Sequence, residues 1–299
     1  MHAMSYRGRF APSPTGTLHF GSLVAALGSW LRARSQEGEW LVRIEDIDPS
    51  REVPGAGEAI VRQLIAFGLA PDGPVVRQSA DRARHAAARD RLIAADLAYR
   101  CACSRADLAP YGGRHPARCI APPPAADRPA AVRLRVPPGV VRFDDAVQGP
   151  IEQDVVAEVG DFVIWRNDGW PAYQLAVVVD DAAQGITEVV RGADLLDSTP
   201  RQCLLQRLLG LPQPAWMHLP LALDADGRKL GKRDQARPVD PADPLPALRL
   251  ALRFLGQSVP DRDDLHGLLA AAVRAFDPAR IPRGTRPAPG RDATQREVS

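Results

Sequence analysis

Three cysteines and one histidine lie close together in the middle of the chain. Cys101 and Cys103 are separated by one residue, and His115 precedes Cys119 by four positions. Three thiolates and one imidazole at these spacings suit a closed tetrahedral zinc site, which stabilises a fold and leaves no open position for chemistry. We predict one structural zinc ion per chain at these four residues. Tyr111 is an alternative fourth ligand, and reduced cysteines that bind no metal are the remaining alternative.

A second group of residues suits phosphate binding. Residues 12–22 (PSPTGTLHFGS) place two prolines and two glycines between a short strand and a helix. Such a turn lets the backbone approach a ligand closely, and the helix N-terminus offers free N–H groups and a positive dipole end to phosphate. His19 would lie beside that phosphate, and Ser22 could cap the helix. The alternative is an ordinary strand-to-helix loop with a surface histidine.

Two lysines form the third group. The chain has 38 basic residues, of which only Lys229 and Lys232 are lysines, in the segment RKLGKR (residues 228–233). Lysines on a glycine-containing loop can close on a triphosphate and stabilise charge as pyrophosphate leaves. Because arginine is the default cation of this chain, the two lysines indicate a site that needs a compact point charge. The alternative is a solvated charged turn.

The composition is that of a globular protein, with 299 residues, 45% hydrophobic residues, 25% charged residues and a net charge of +2. No stretch approaches the roughly 20 apolar residues of a membrane span, and the N-terminus lacks the apolar core of a secretory signal. We therefore expect a cytoplasmic protein without a membrane partner. The small net charge means that any nucleic acid must be held by a local patch. Cys203, which lies in an apolar run, is predicted to be buried.

The elements that must position these residues follow an α/β pattern. Strand-like residues 7–11 and 41–44 flank a helical stretch at 22–35, which is the opening of a parallel α/β domain. Further helices are predicted at 57–67, 81–95, 200–209, 247–255 and 265–276, and further strands at 131–136, 162–165, 175–179, 187–190 and 218–223. The Pro-, Gly- and Arg-rich residues 283–299 are predicted to be a disordered tail.

Several of these motifs resemble class I aminoacyl-tRNA synthetases. Residues 12–22 are similar to the HIGH signature, with His19 and Gly21 at the matching places, and residues 229–233 (KLGKR) are similar to the KMSKS signature. In the second signature, glycine and arginine stand where serines are usual, so loop closure is expected to be tuned differently. The first ends in Ser22 instead of a second histidine, as in other glutamyl members.

The glutamyl branch is indicated by three phrases, RFAPS, RIEDID and RGADLL, and the likeness covers about residues 5–256. Within that branch the chain resembles the glutamyl-queuosine tRNA(Asp) synthetases, paralogues of glutamyl-tRNA synthetase, in the stretch AVVVDD (residues 176–181). Only about 65 residues follow the lysine loop, where a bacterial glutamyl-tRNA synthetase carries a large anticodon-binding region.

The resemblance implies an α/β fold in which a Rossmann-type parallel sheet core is split by an inserted zinc-bearing α+β module, with a short helical C-terminal extension and no anticodon-binding domain. The predicted boundaries are 1–98 and 171–235 for the two halves of the core, 99–170 for the module, 236–282 for the extension and 283–299 for the tail.

The resemblance also assigns substrate-binding residues by position. Arg9, Ser13, Glu45, Tyr173 and Arg191 correspond to the L-glutamate pocket. A substrate with two carboxylates and one ammonium group asks for two arginines and one acidic partner, which this set contains. The residues that correspond to the ATP site are Pro12, Thr15, Gly16, His19, Gly21, Ser22, Lys229 and Lys232.

The activity implied by the resemblance has two steps. Glutamate attacks the α-phosphate of ATP, with His19 and Lys232 as catalytic residues that stabilise charge and with Mg²⁺ on the phosphates; the glutamyl group then passes to queuosine in the anticodon of tRNA(Asp). A monomer is expected. The alternatives are a truncated glutamyl-tRNA synthetase that charges a tRNA 3′ end, and a non-catalytic zinc-bearing RNA-binding paralogue.

Overall fold

A computed structural model describes residues 5–116, 118–125, 128–223 and 239–287 of the chain. The strands are β1 (Arg7–Phe10), β2 (Glu39–Ile44), β3 (Val76–Arg77), β4 (Ala98–Cys101), β5 (Ala131–Leu134), β6 (Val140–Asp145), β7 (Gly149–Asp154), β8 (Val163–Trp165), β9 (Glu188–Gly192), β10 (Ala215–Leu219), β11 (Leu221–Leu223) and β12 (Thr285–Pro287). The helices are α1 (Phe20–Ser35), α2 (Ala56–Ala66), α3 (Arg82–Ala94), α4 (Arg105–Leu108), α5 (Val155–Glu158), α6 (Tyr173–Ala183), α7 (Thr199–Leu209), α8 (Pro244–Phe254) and α9 (Leu265–Arg274).

Parallel strands form the centre of the fold, as predicted. β1, β2 and β3 pair in parallel, and so do β9 and β10. The two groups meet at β1 and β9, because the backbone N–H of Thr187, just before β9, donates to the carbonyl oxygen of Arg7 at 2.9 Å. Across the sheet the strands therefore follow the order β3-β2-β1-β9-β10. Each half runs outward from the junction of β1 and β9, which is the Rossmann-type arrangement. In such sheets the ligand crevice lies at the carboxyl ends of the strands where the order reverses, here beyond β1 and β9.

Alternation along the central strands separates two hydrophobic cores. Val190 and Met217 belong to a core that includes residues of α1, α8 and α9, whereas their neighbours Val189 and Trp216 belong to a core that includes residues of α3, α6 and α7. Consecutive side chains on a strand point to opposite faces of the sheet. Within the described residues, helices thus cover both faces of the sheet and leave its strand ends accessible.

The strands from β4 to β8 pair with one another in antiparallel fashion. β4, β5 and β8 form one small sheet, which carries Cys101 at the end of β4. β6 and β7 form a hairpin whose first strand joins the central sheet, because Asp145 pairs in parallel with Trp216 of β10. Both groups fall within residues 99–170 apart from the start of β4, and the boundaries of the inserted module stay a prediction.

The structure corrects three secondary-structure predictions. Residues 175–179 form part of the buried helix α6 and not a strand, because a fully buried apolar run shows no periodicity that separates the two structures. Pro220 divides the predicted strand 218–223 into β10 and β11. Within the predicted tail, Thr285–Pro287 form β12, which pairs with β11 through backbone groups that composition does not reveal; residues 288–299 lie outside the described part.

Cys203 is buried, as predicted. Among the helices of the described residues, none is both long enough and apolar enough to span a bilayer.

Candidate active site

The turn after β1 leads directly into α1, and His19 is the residue that caps this helix. Its Nδ1 accepts the backbone N–H of Ser22 at 3.3 Å, and its Nε2 lies 3.0 Å from Ser22 Oγ. The prediction that Ser22 caps the helix is therefore wrong, since Ser22 is the partner of the cap. A Cβ at Gly21 would lie 3.3 Å from His19 Cε1, so glycine leaves room for the imidazole ring.

A cavity of about 330 Å³ opens at this helix N-terminus. Its walls include five of the predicted ATP-binding residues, namely Pro12, Thr15, His19, Gly21 and Ser22. Gly16 is not on the wall; its φ of 137°, which favours glycine, shapes the turn instead. The wall continues into β11, and the chain beyond β11 carries Lys229 and Lys232, which lie outside the described residues.

A second cavity, of about 500 Å³, adjoins the first. All five residues predicted to bind glutamate line it: Arg9, Ser13, Glu45, Tyr173 and Arg191. The two cavities share wall residues that include Ser13, Thr15 and Asp194. An amino acid in one cavity and a nucleotide in the other would therefore meet at this common wall. The roles of these residues stay predictions.

Buried ion pairs hold one side of the second cavity. Asp181 accepts from Arg9 Nε at 3.0 Å and Arg9 Nη2 at 3.1 Å, and it lies 2.8 Å from Arg43 Nη2. Arg43 in turn donates to Glu45 at 3.2 Å. Burial acts to raise the pKa of Asp181, but the two arginines outweigh it and hold that pKa below its ordinary value. Burial raises the pKa of Glu45.

Arg191 lies on the other side, with 6% of its surface exposed. Its Nε donates to His218 Nε2 at 3.0 Å and its Nη1 to the Tyr173 hydroxyl at 3.2 Å. Its Nη2 donates to Thr199 Oγ1 at 2.8 Å and to the carbonyl oxygen of Leu195 at 3.2 Å. These partners are neutral, and among the described residues Arg191 forms no ion pair with a carboxylate. Burial, with Arg9 nearby, lowers its pKa.

Sequence reasoning missed several residues that hold this site. Arg43 and Asp181 lie inside the stretches RIEDID and AVVVDD, on which the family resemblance depends. The resemblance therefore pointed to these stretches, but neither residue was assigned a role. Asp145 and His218 carried no local signal. His218 is fully buried and its Nδ1 lies 2.5 Å from Asp145 Oδ2.

The four predicted metal ligands come together. Donor atoms of Cys101, Cys103, His115 and Cys119 all lie within 4.8 Å of one another, which supports a metal-binding cluster. His115 Nε2 is 3.3 Å from Cys101 Sγ and 3.8 Å from Cys119 Sγ. A zinc tetrahedron with these ligands has edges of about 3.5–3.8 Å, so the two distances from His115 are close to those that zinc requires.

Neighbouring groups suit thiolates and a neutral imidazole. His115 Nδ1 lies 2.6 Å from the carbonyl oxygen of Pro116, which leaves Nε2 directed at the sulfurs. Arg133 Nε donates to Cys101 Sγ at 3.3 Å, and the backbone N–H of Ala121 donates to Cys103 Sγ at 3.5 Å. Tyr111, the alternative ligand, is 46% exposed. The geometry favours His115.

The parallel sheet, with cavities at its strand ends, corresponds to the class I synthetase catalytic fold. The chain matches the family "tRNA synthetases class I (E and Q), catalytic domain" over residues 5–259, and it belongs to that family.

Two relatives that match over nearly their whole length are more similar to the chain than the family match alone indicates. The chain is 60% identical over 287 residues to Glutamyl-Q tRNA(Asp) synthetase of Xanthomonas campestris pv. campestris (strain 8004), covering 95% of each chain. It is 54% identical to Glutamyl-Q tRNA(Asp) synthetase of Ectopseudomonas mendocina (strain ymp), covering 93% of this chain and 96% of the relative. Among solved structures, a glutamate tRNA ligase from Elizabethkingia meningosepticum CCUG26117 in complex with its amino acid is similar, with 28% identity and a TM-score of 0.81 over 97% of this chain and 68% of that one.

Proposed function

We propose that this chain activates L-glutamate with ATP to form glutamyl-adenylate and then transfers the glutamyl group to queuosine in the anticodon of tRNA(Asp). The names of the full-length relatives support both steps. The geometry of the two adjoining cavities supports the first step independently.

The observation that carries the proposal is the environment of Arg191. A buried guanidinium is costly unless a negative charge compensates it. Arg9 and Arg43 have Asp181 as such a partner, whereas the hydrogen-bond partners of Arg191 in the described residues are neutral. A carboxylate of the substrate would supply the missing charge.

The donor count indicates how that carboxylate would be bound. Of the five N–H groups of Arg191, one is donated to His218, one to Tyr173, and one each to Thr199 and Leu195. One Nη1–H and the hydroxyl proton of Tyr173 remain for the substrate. Arg9 keeps three N–H groups after Asp181 has taken two, which suits the second carboxylate, and Glu45 suits the ammonium group.

ATP would occupy the smaller cavity, with its phosphates at the N-terminus of α1 beside His19. The α-carboxylate of glutamate would attack the α-phosphate across the shared wall. His19 and Lys232 would stabilise the charge that develops as pyrophosphate leaves, and Mg²⁺ would accompany the phosphates. No residue has to form a covalent bond with the substrate.

The metal cluster would hold one zinc ion through Cys101, Cys103, His115 and Cys119. Zinc in a closed set of three thiolates and one imidazole stabilises the fold around it and offers no position for substrate. The expected role is therefore to hold the end of β4 to His115 and Cys119.

Two assays test the proposal. The first is ATP–pyrophosphate exchange with glutamate, aspartate and glutamine compared, where only glutamate should support exchange. The second is transfer of labelled glutamate to two RNAs: tRNA(Asp) without its 3′ terminal adenosine, which should accept the label, and tRNA(Asp) from cells that do not make queuosine, which should not. Transfer should also weaken steeply with salt, because arginine–phosphate contacts release counterions. The opposite result with the two RNAs would replace this proposal with charging of a tRNA 3′ end.

A further inference from the structure

The fully buried His218 and its partner Asp145 lie outside the residues so far given a substrate role. Asp145 ends β6, His218 is on β10 and Arg191 is on β9. His218 and Arg191 are register partners in the parallel pairing of β10 with β9, and β6 joins β10 on the other side. The sheet therefore places a carboxylate, an imidazole and a guanidinium side by side on three strands.

The hydrogen bonds fix one tautomer of the imidazole. Arg191 Nε always carries a proton and donates it to His218 Nε2, so Nε2 must be the unprotonated nitrogen. The proton then sits on Nδ1 and is donated to Asp145 Oδ2 at 2.5 Å. Asp145 is itself held by the backbone N–H groups of Val147 and Gln148, at 3.0 and 2.8 Å.

The surrounding charges agree with a neutral imidazole. The charged groups that act on His218 are Asp145, Arg191 and Arg9, and burial outweighs the carboxylate, so that the pKa of His218 is lowered. A second proton on Nε2 would point at the N–H of Arg191.

We propose that Asp145 and His218 are positioning residues for Arg191: the carboxylate fixes the imidazole tautomer, and the imidazole fixes the rotation of the guanidinium that receives a substrate carboxylate. The inference rests on the proposed function, because it concerns how the guanidinium of Arg191 is oriented in the proposed glutamate cavity. Fixing Nε leaves the remaining Nη1–H beside the Tyr173 hydroxyl, and both residues line the predicted glutamate cavity.

Two substitutions separate positioning from packing. His218→Gln keeps an amide group near the position of Nε2, where its oxygen can accept from Arg191, but gives up the bond to Asp145. His218→Asn keeps a donor near the position of Nδ1 for Asp145 but leaves Arg191 Nε without an acceptor. We expect His218→Asn to raise the KM for glutamate roughly ten-fold, as loss of a hydrogen bond to a charged group does. His218→Gln should raise it much less, and the KM for ATP should change by less than two-fold in both.

A matched control is a second buried pair of histidine and aspartate, in which His85 Nε2 lies 2.8 Å from Asp180 Oδ1. His85→Asn breaks that contact without touching Arg191, so it should lower the melting temperature without a selective rise in the KM for glutamate.

Pyrophosphate exchange by the full-length chain gives the KM values, and thermal unfolding gives the melting temperatures. If the parent shows no glutamate-dependent exchange, the proposed function fails. If the parent is active but His218→Gln raises the KM for glutamate as much as His218→Asn, or if both variants raise the two KM values equally, the positioning role is wrong. Should His218→Asn fail to fold, a ten-fold rise in the KM for glutamate in His218→Gln overturns the role.

Discussion

Replacing Arg191 by methionine should remove substrate affinity without weakening the fold. In most proteins a buried side chain with several hydrogen bonds stabilises the native state, and its replacement costs about 0.5–3 kcal/mol. Arg191 differs because its hydrogen-bond partners in the described residues are neutral and burial disfavours its charge. Loss of the charge should therefore offset the loss of the bonds.

The local contacts support this estimate. Thr199 Oγ1 lies 3.2 Å from His218 Nε2 and 3.4 Å from the carbonyl oxygen of Leu195, so the threonine and the histidine can satisfy each other without Arg191. Of the side-chain partners, only the Tyr173 hydroxyl loses a partner outright. We expect the melting temperature of Arg191→Met, measured without substrates, to stay within about 2 °C of the parent or to rise, a change of about 1 kcal/mol or less.

Substrate binding should respond in the opposite way. One hydrogen bond between Arg191 and a carboxylate is worth about 1.5–3 kcal/mol, so kcat/KM for glutamate in pyrophosphate exchange should fall about 10- to 100-fold or more. The rise in melting temperature that glutamate gives the parent should be lost as well.

Arg43→Met is the matched control. Arg43 is also buried but pairs with Asp181 and Glu45, so its removal leaves carboxylates uncompensated and should cost about 3–5 kcal/mol, roughly a 10 °C fall in melting temperature. If the melting temperature of Arg191→Met falls as far as that of Arg43→Met while its KM for glutamate stays at the parent value, the inference that Arg191 binds a substrate carboxylate is refuted.

The remaining predictions concern charge, metal and the lysine loop. Burial raises the pKa of Glu45, and the ammonium group of the substrate needs the charged carboxylate, so the KM for glutamate should rise as pH falls through that raised pKa. A pH-independent KM in the parent would contradict this, and Glu45→Gln should remove the pH dependence. Asp181, whose pKa is lowered, stabilises the fold above its ordinary pKa and loses that contribution as pH falls through the lowered value, so Asp181→Asn should cost about 3–5 kcal/mol in denaturant unfolding at neutral pH and little in strong acid. Metal analysis should find about one zinc per chain, and Gly160→Ala should lower that occupancy, because a Cβ there would lie 2.6 Å from the carbonyl oxygen of His115; unchanged occupancy would argue against a site built on this contact. Lys232→Ala should lower the rate of exchange about 10²–10³-fold with little change in glutamate affinity, and an unchanged rate would show that the loop is misassigned.

Local sequence was informative where one short segment builds one part of the site. The turn at 12–22 and the helix that follows it are adjacent in the chain, so residue types there predicted the helix N-terminus that is observed; phosphate binding at that end stays a prediction. The spacing of the cysteines and the histidine correctly predicted that these side chains come together, because Cys101 to Cys119 span only one small segment. The failure at 175–179 came where the helix is buried on all sides and pattern carries no information.

The sequence by itself determined which residue types were available for the predicted phosphate, carboxylate and metal sites, and it determined the parallel α/β frame through alternating strands and helices. Only the tertiary structure decided which charges compensate one another. Arg9 meets Asp181 across 172 positions and His218 meets Asp145 across 73, and no local propensity encodes such pairings. The sheet brings the ends of distant strands to one edge, and burial there makes an ion pair or an uncompensated charge matter far more than it would in water. For this reason only the folded chain shows which charged groups around the cavity are paired, and that the hydrogen-bond partners of Arg191 in the described residues are neutral.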